Sequence, residues 1–101
     1  MLIMHVRAAI KPESRQAFLA MARDVVEKTR SEPGCLSYAC CEDIAEPNAF
    51  IFYEEWRARE DLDAHFAQPY TQALLAAAGQ WVTVPPAMTL HEVATSTPMP
   101  A

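Results

Sequence analysis

The sequence predicts an α+β fold in which one antiparallel sheet carries helices on a single face. Three observations lead there. Four stretches alternate their side chains with a period of two, the intervening stretches carry apolar stripes at helical spacing, and the order of elements is β-α-β-β-α-β. That order is the ferredoxin-like arrangement of strands and helices.

The strand that organises the others is Ala49-Phe50-Ile51-Phe52-Tyr53-Glu54-Glu55-Trp56, which follows the turn-forming run Glu46-Pro47-Asn48. Alternation puts Phe50, Phe52, Glu54 and Trp56 on one face and Ile51, Tyr53 and Glu55 on the other. Both faces therefore carry large apolar groups, whereas a sheet with one wet face reads apolar-in and polar-out. The helices suffice to cover one side. An open apolar face marks an association surface, and a second copy packed sheet against sheet by two-fold symmetry would close it. A homodimer through that face is the expectation.

Taken in order, Leu2 to Ala9 reads as the first strand, with Leu2, Met4 and Val6 on one face and Ile3, His5 and Arg7 on the other. Lys11-Pro12-Glu13 starts a helix, since proline suits the first turn and a carboxylate favours the positive end of the dipole. Phe18, Met21, Ala22, Val25 and Val26 form its stripe, and Glu32-Pro33-Gly34 stops it. The second strand runs from Cys35 to Glu42 with Leu36, Tyr38 and Cys40 on one face, and Asp43 to Asn48 is a polar connection of hairpin length. After Trp56, a short helix places Leu62, His65 and Phe66 together, and Pro69 opens a second helical piece with a stripe of Ala73, Leu74, Ala77 and Ala78 ending at Gly79. Trp81 to Pro86 reads as a loop, and Met88 to Val93 as the last strand.

Length and composition set the class. A chain of 101 residues makes one domain, expected over residues 1–94, with residues 95–101 a flexible, proline-bearing tail. The 51% hydrophobic and 21% charged fractions are globular values. A net charge of −5 disfavours nucleic acid and anionic membrane surfaces as partners. No apolar run approaches the roughly 20 residues of a membrane span, and Met1 to Arg7 lacks the pattern of a signal peptide. A cytoplasmic protein is expected. Cys35, Cys40 and Cys41 are odd in number and lack CxxC spacing, so neither a disulfide framework nor a zinc site is suggested.

The candidate chemistry lies on His65, Glu54 and Trp56 as catalytic residues, with Tyr38, Phe52, Phe66 and Met88 as substrate-binding walls. If the His65 stripe packs on the face that bears Phe52, Glu54 and Trp56, an imidazole, a carboxylate and an indole converge on one pocket. An imidazole can take a phenolic proton, a carboxylate can orient it or act as a second base, and aromatic walls can stack a planar substrate. Glu54 is the sharpest clue, because a carboxylate facing helices is costly unless it is paired or functional. The bland alternatives are a satisfied core histidine, a core tryptophan, and a Glu54 hydrogen-bonded to His65 or to a backbone amide. His5, His91 and Arg7 read as surface or interface residues.

Three segments, Glu32-Pro33-Gly34-Cys35-Leu36-Ser37-Tyr38, Phe52-Tyr53-Glu54-Glu55-Trp56 and Leu62-Asp63-Ala64-His65, resemble the antibiotic biosynthesis monooxygenase family over nearly the whole chain, from Leu2 to about Val93. The resemblance implies a dimeric α+β barrel with a pocket between sheet and helices in each subunit. It also implies that His65 and Glu54 stand at positions the family uses in that pocket. Members of that family include cofactor-independent quinol or polyphenol monooxygenases, haem-degrading enzymes and an isomerase of a phosphorylated signalling sugar. The haem-degrading members need an axial histidine on the last helix and an asparagine on the first strand, where this chain has Leu75 and Arg7 or their neighbours. A phosphate needs basic partners, and Gln68 to Ala101 contains no Lys or Arg.

The function expected is therefore a monooxygenase without cofactor or metal, oxidising a quinol or related phenolic aromatic with O₂. The alternatives are an isomerase of a small carbonyl metabolite using His65 and Glu54, and a non-catalytic dimeric ligand-binding module. Oxygen uptake with a quinol panel separates the first from both others, and ligand-induced stabilisation without turnover marks the last.

Overall fold

Alternation at a period of two builds all four strands, and the computed structural model, which describes residues 1–101, joins them into one antiparallel sheet. The strands are β1 (Leu2–Ala9), β2 (Cys35–Glu42), β3 (Ala49–Trp56) and β4 (Ala87–Glu92), in the spatial order β2-β3-β1-β4. The helices are α1 (Arg15–Thr29), α2 (Arg59–Phe66) and α3 (Pro69–Trp81), with a 3₁₀ turn at Pro12–Ser14 leading into α1. This is the expected ferredoxin-like α+β architecture.

Register decides which side chains meet. Tyr38 stands opposite Glu54, Glu54 opposite Met4, and Met4 opposite Leu90, so these four make one row on the helix-covered face. The next row is Cys40, Phe52, Val6 and Met88. Phe50, Phe52, Glu54 and Trp56 are buried, while Tyr53 on the opposite face is exposed and Ile51 half-buried. The helices press Phe18, Ala22, Val25, Leu62 and Leu74 onto the covered face, and Phe18 packs on Phe50 with ring centroids 4.7 Å apart.

Several local expectations are corrected. Leu36 does not share a face with Tyr38: a bulge between Cys35 and Ser37 sets Cys35 opposite Trp56 and leaves Leu36 exposed. The chain opens α1 with the 3₁₀ turn, because Pro12 at its start is followed by a tighter i to i+3 hydrogen-bonding pattern. Ala73 is exposed, and Thr71 with Leu74 forms the buried side of α3. Gly79 does not end α3, which continues to Trp81; the bridge between Ile10 and Val82 then holds the chain against β1. The last strand begins at Ala87 and ends at Glu92.

The turn after α1 is fixed tightly. Gly34 has φ +80°, a left-handed conformation that suits glycine, and a Cβ there would come within 2.2 Å of the Asp61 carboxyl carbon. Arg57 donates from its backbone to the Gly34 carbonyl at 2.9 Å and from its guanidinium to Asp61 at 2.9 and 3.1 Å. The Glu32-Pro33-Gly34 turn is thus docked against the start of α2.

Candidate active site

Between the covered sheet face and helices α2 and α3 lies a cavity of about 70 Å³. Its polar lining is Tyr38 from β2, Glu54 from β3, His65 from α2 and Thr71 from α3; Phe52, Phe66 and Met88 are among its apolar walls. Six of the seven residues singled out in the sequence therefore line one space. Trp56 does not. It is fully buried behind the cavity, where its ring lies 4.9 Å from that of His65 and its Nε1–H donates to Glu54 Oε1 at 3.1 Å. Leu75 and Met88 are about half exposed and Pro86 is exposed, so the rim lies on the α3 and β4 side.

Glu54 is 4% exposed. Burial pushes its carboxyl up to about 7, opposed by the Trp56 hydrogen bond and reinforced by the nearby charge of Glu32. Near neutral pH the side chain therefore exists in both forms, a proton donor and a proton acceptor facing the same cavity. Burial, and then the charge of Glu54, also raise the Tyr38 phenol above its ordinary range, which keeps it a neutral hydroxyl.

The hydrogen bond between Glu54 and His65, one of the alternatives for this carboxylate, is not formed. Both hydrogen-bond contacts of the His65 imidazole are at Nδ1: Glu32 Oε2 at 2.9 Å and Thr71 Oγ1 at 3.4 Å. Glu32 Oε2 also accepts from the Tyr70 hydroxyl at 2.5 Å. Sequence reasoning gave Glu32 only a place in a turn and gave Tyr70 and Thr71 no role. The one available signal was that Glu32 opens the motif segment Glu32 to Tyr38. Around the imidazole stand Tyr38, Trp56 and Phe66, with ring centroids at 5.3, 4.9 and 5.7 Å. No hydrogen bond engages Nε2.

A larger open groove of about 810 Å³ runs between α1 and the edge strand β2. Two of its arginines are engaged within the protein, Arg15 with Glu42 and Asn48, and Arg30 with the Tyr38 carbonyl. It contains no histidine. The smaller cavity is where titratable groups and aromatic walls converge, and it is the candidate site. No group of three or more His, Cys, Asp or Glu side chains is placed to hold a metal ion.

The sequence model of the family described as antibiotic biosynthesis monooxygenase matches residues 1–77. An uncharacterised protein of Synechocystis is 36% identical over 85 residues, which is 84% of this chain and 58% of that relative's own length. The chain thus spans little more than half of that relative. The Mycobacterium tuberculosis protein Rv0793, provisionally named a monooxygenase, is 32% identical over 80 residues, 79% of this chain and 78% of its own length. A solved structure described as an antibiotic biosynthesis monooxygenase is 34% identical, with a TM-score of 0.88 over 94% of this chain and 100% of that one.

Proposed function

The chain belongs to the antibiotic biosynthesis monooxygenase family, and from that premise we propose that it oxidises a quinol or related phenolic aromatic with O₂, without cofactor or metal. The observation that carries this reading is the convergence of His65, Glu54 and Tyr38 on one cavity walled by Phe18, Phe52 and Phe66. His65 Nε2 takes the proton of a substrate hydroxyl, and the resulting anion is electron-rich. The anion passes one electron to O₂, and the radical pair recombines with formation of a C–O bond. The hydroperoxide then loses the hydrogen from that carbon, its O–O bond breaks, and a C=O group and water result. One oxygen atom enters the product and the other leaves as water; the substrate supplies all the electrons. Glu54 holds or returns a proton at an oxygen of the substrate, and Trp56 positions Glu54.

The size of the cavity supports a second reading. About 70 Å³ is less than half of the roughly 150 Å³ in which an engineered apolar cavity admits benzene. A small carbonyl compound isomerised between His65 and Glu54 fits with less rearrangement, whereas an aromatic ring requires Leu75, Pro86 and Met88 at the rim to move. Oxygen-electrode measurements across a panel of quinols and phenols decide. Uptake of one O₂ per product supports the monooxygenase; conversion without oxygen uptake supports the isomerase. Stabilisation by ligand with no turnover of either kind supports a binding module.

We further propose that the chain acts as a homodimer closed through the sheet face opposite the helices. The half-burial of Ile3 and Ile51 beside exposed Tyr53 on that face supports it.

A further inference from the structure

Resting on the assignment of His65 as the base, we propose that Glu32 and Tyr70 are positioning residues: Glu32 fixes the imidazole proton on Nδ1, and Tyr70 holds Glu32 in place to do so. Three elements meet at one oxygen. Glu32 comes from the turn after α1, His65 from the end of α2 and Tyr70 from the first turn of α3. Glu32 Oε2 lies 2.9 Å from His65 Nδ1 and 2.5 Å from the Tyr70 hydroxyl. The side chains of Glu32 and His65 are 8% and 2% exposed, so neither has water to fall back on.

The chemistry follows from what each group can offer. A carboxylate only accepts, so the neutral imidazole bonded to it must carry its proton on Nδ1. Nε2 then holds the lone pair that a base requires. When Nε2 gains a proton from the substrate, the carboxylate stabilises the imidazolium that results. The Thr71 hydroxyl, 3.4 Å from Nδ1, is a longer and weaker contact than Glu32. Glu54 does not take this role: it makes no hydrogen bond to His65, its Oε1 accepts from Trp56, and it lines the cavity from the sheet. The Tyr70 hydroxyl, donated to the same oxygen, restricts the carboxylate to one orientation.

The test reads the tautomer directly, without substrate, in the ligand-free full chain. Nitrogen-15 NMR at alkaline pH distinguishes protonated from unprotonated ring nitrogens, and the His65→Gln spectrum identifies the His65 signals against those of His5 and His91. The expected result is a protonated Nδ1 and a bare Nε2. Glu32→Leu should convert His65 to a mixture dominated by the Nε2–H form that isolated imidazoles favour. Tyr70→Phe should show part of that change. Glu32→Gln keeps an acceptor oxygen and the shape, so the Nδ1–H tautomer should persist while kcat on an established substrate falls about tenfold or more with KM little changed. A wild-type His65 protonated on Nε2, or a Glu32→Gln enzyme with unaltered kcat, overturns the assignment of Glu32; an unaltered Tyr70→Phe tautomer overturns that of Tyr70. If the tautomer is as expected but no phenol consumes oxygen, the positioning role stands and the monooxygenase reading fails.

Discussion

His65 bonds Glu32, 33 residues earlier in the chain, while Glu54 on β3 bonds Trp56 instead. The two carboxylates therefore have different jobs. Glu32 holds Nδ1 of His65 and the Tyr70 hydroxyl on its Oε2, and Glu54 faces the cavity with its titration moved to about 7. An imidazole oriented by one carboxylate, with a second, titratable carboxyl on the same cavity, is an arrangement that can remove and return protons on a bound substrate.

Glu54 should make stability depend on pH. Its carboxyl is pushed up from 4.5 to about 7, chiefly by burial, so between those values the folded state binds more protons than the unfolded chain. The stabilising contribution of the neutral form is complete below 4.5 and is lost as pH rises through about 7. The loss amounts to roughly 3 kcal/mol across that window, from about 1.4 kcal/mol per unit. Glu54→Gln, which cannot ionise, should remove this slope. Urea midpoints of both proteins from pH 4 to pH 8 measure it, and parallel curves would refute the buried-carboxyl assignment.

Gly34→Ala should be severe for a surface turn. The φ of +80° strains any residue with a Cβ, and that Cβ would overlap Asp61, which Arg57 holds in place. The strain alone costs about 1–3 kcal/mol, which corresponds to a melting temperature lower by roughly 4–8 °C per kcal/mol for a domain of this size. Calorimetry measures the shift. An unchanged melting temperature would show that the turn is free to adjust.

How much of this was legible in the sequence depends on the range of the interaction. The periods of two and of 3.6 are local, and they located β1, β2 and β3 at their observed limits and placed His65 and Glu54 toward a common interior. The partner of His65 was not legible, because contact between Glu32 and His65 exists only once the turn after α1 docks on α2 through Gly34. The shared strand face of Glu54 and Trp56 suggested that both reach one pocket with His65, whereas the indole lies behind the cavity and donates to Oε1 of Glu54. The Leu36 bulge was invisible for a related reason: one unpaired residue shifts a face without altering the alternation around it.

Ile51→Asp tests the proposed assembly. Ile51 is half-buried on the face away from the helices, opposite Arg7 of β1 and Cys41 of β2. Within a sheet-to-sheet interface an unpaired carboxylate costs several kcal/mol per subunit. Light scattering should find monomer or aggregate for the variant and dimer for the wild type. An unaltered dimer would place the interface elsewhere.

The most direct measurement is kcat and melting temperature on the same preparations of wild type and His65→Gln, with a phenolic substrate established by oxygen uptake. His65 lines the cavity, and both hydrogen-bond contacts of its imidazole are at Nδ1. Removing its base should lower kcat on the order of a hundredfold or more. The lost Glu32 contact should lower stability by only about 1–3 kcal/mol, leaving the protein folded. A His65→Gln protein that melts lower yet turns over at nearly the wild-type rate would contradict the assignment of His65 as the base.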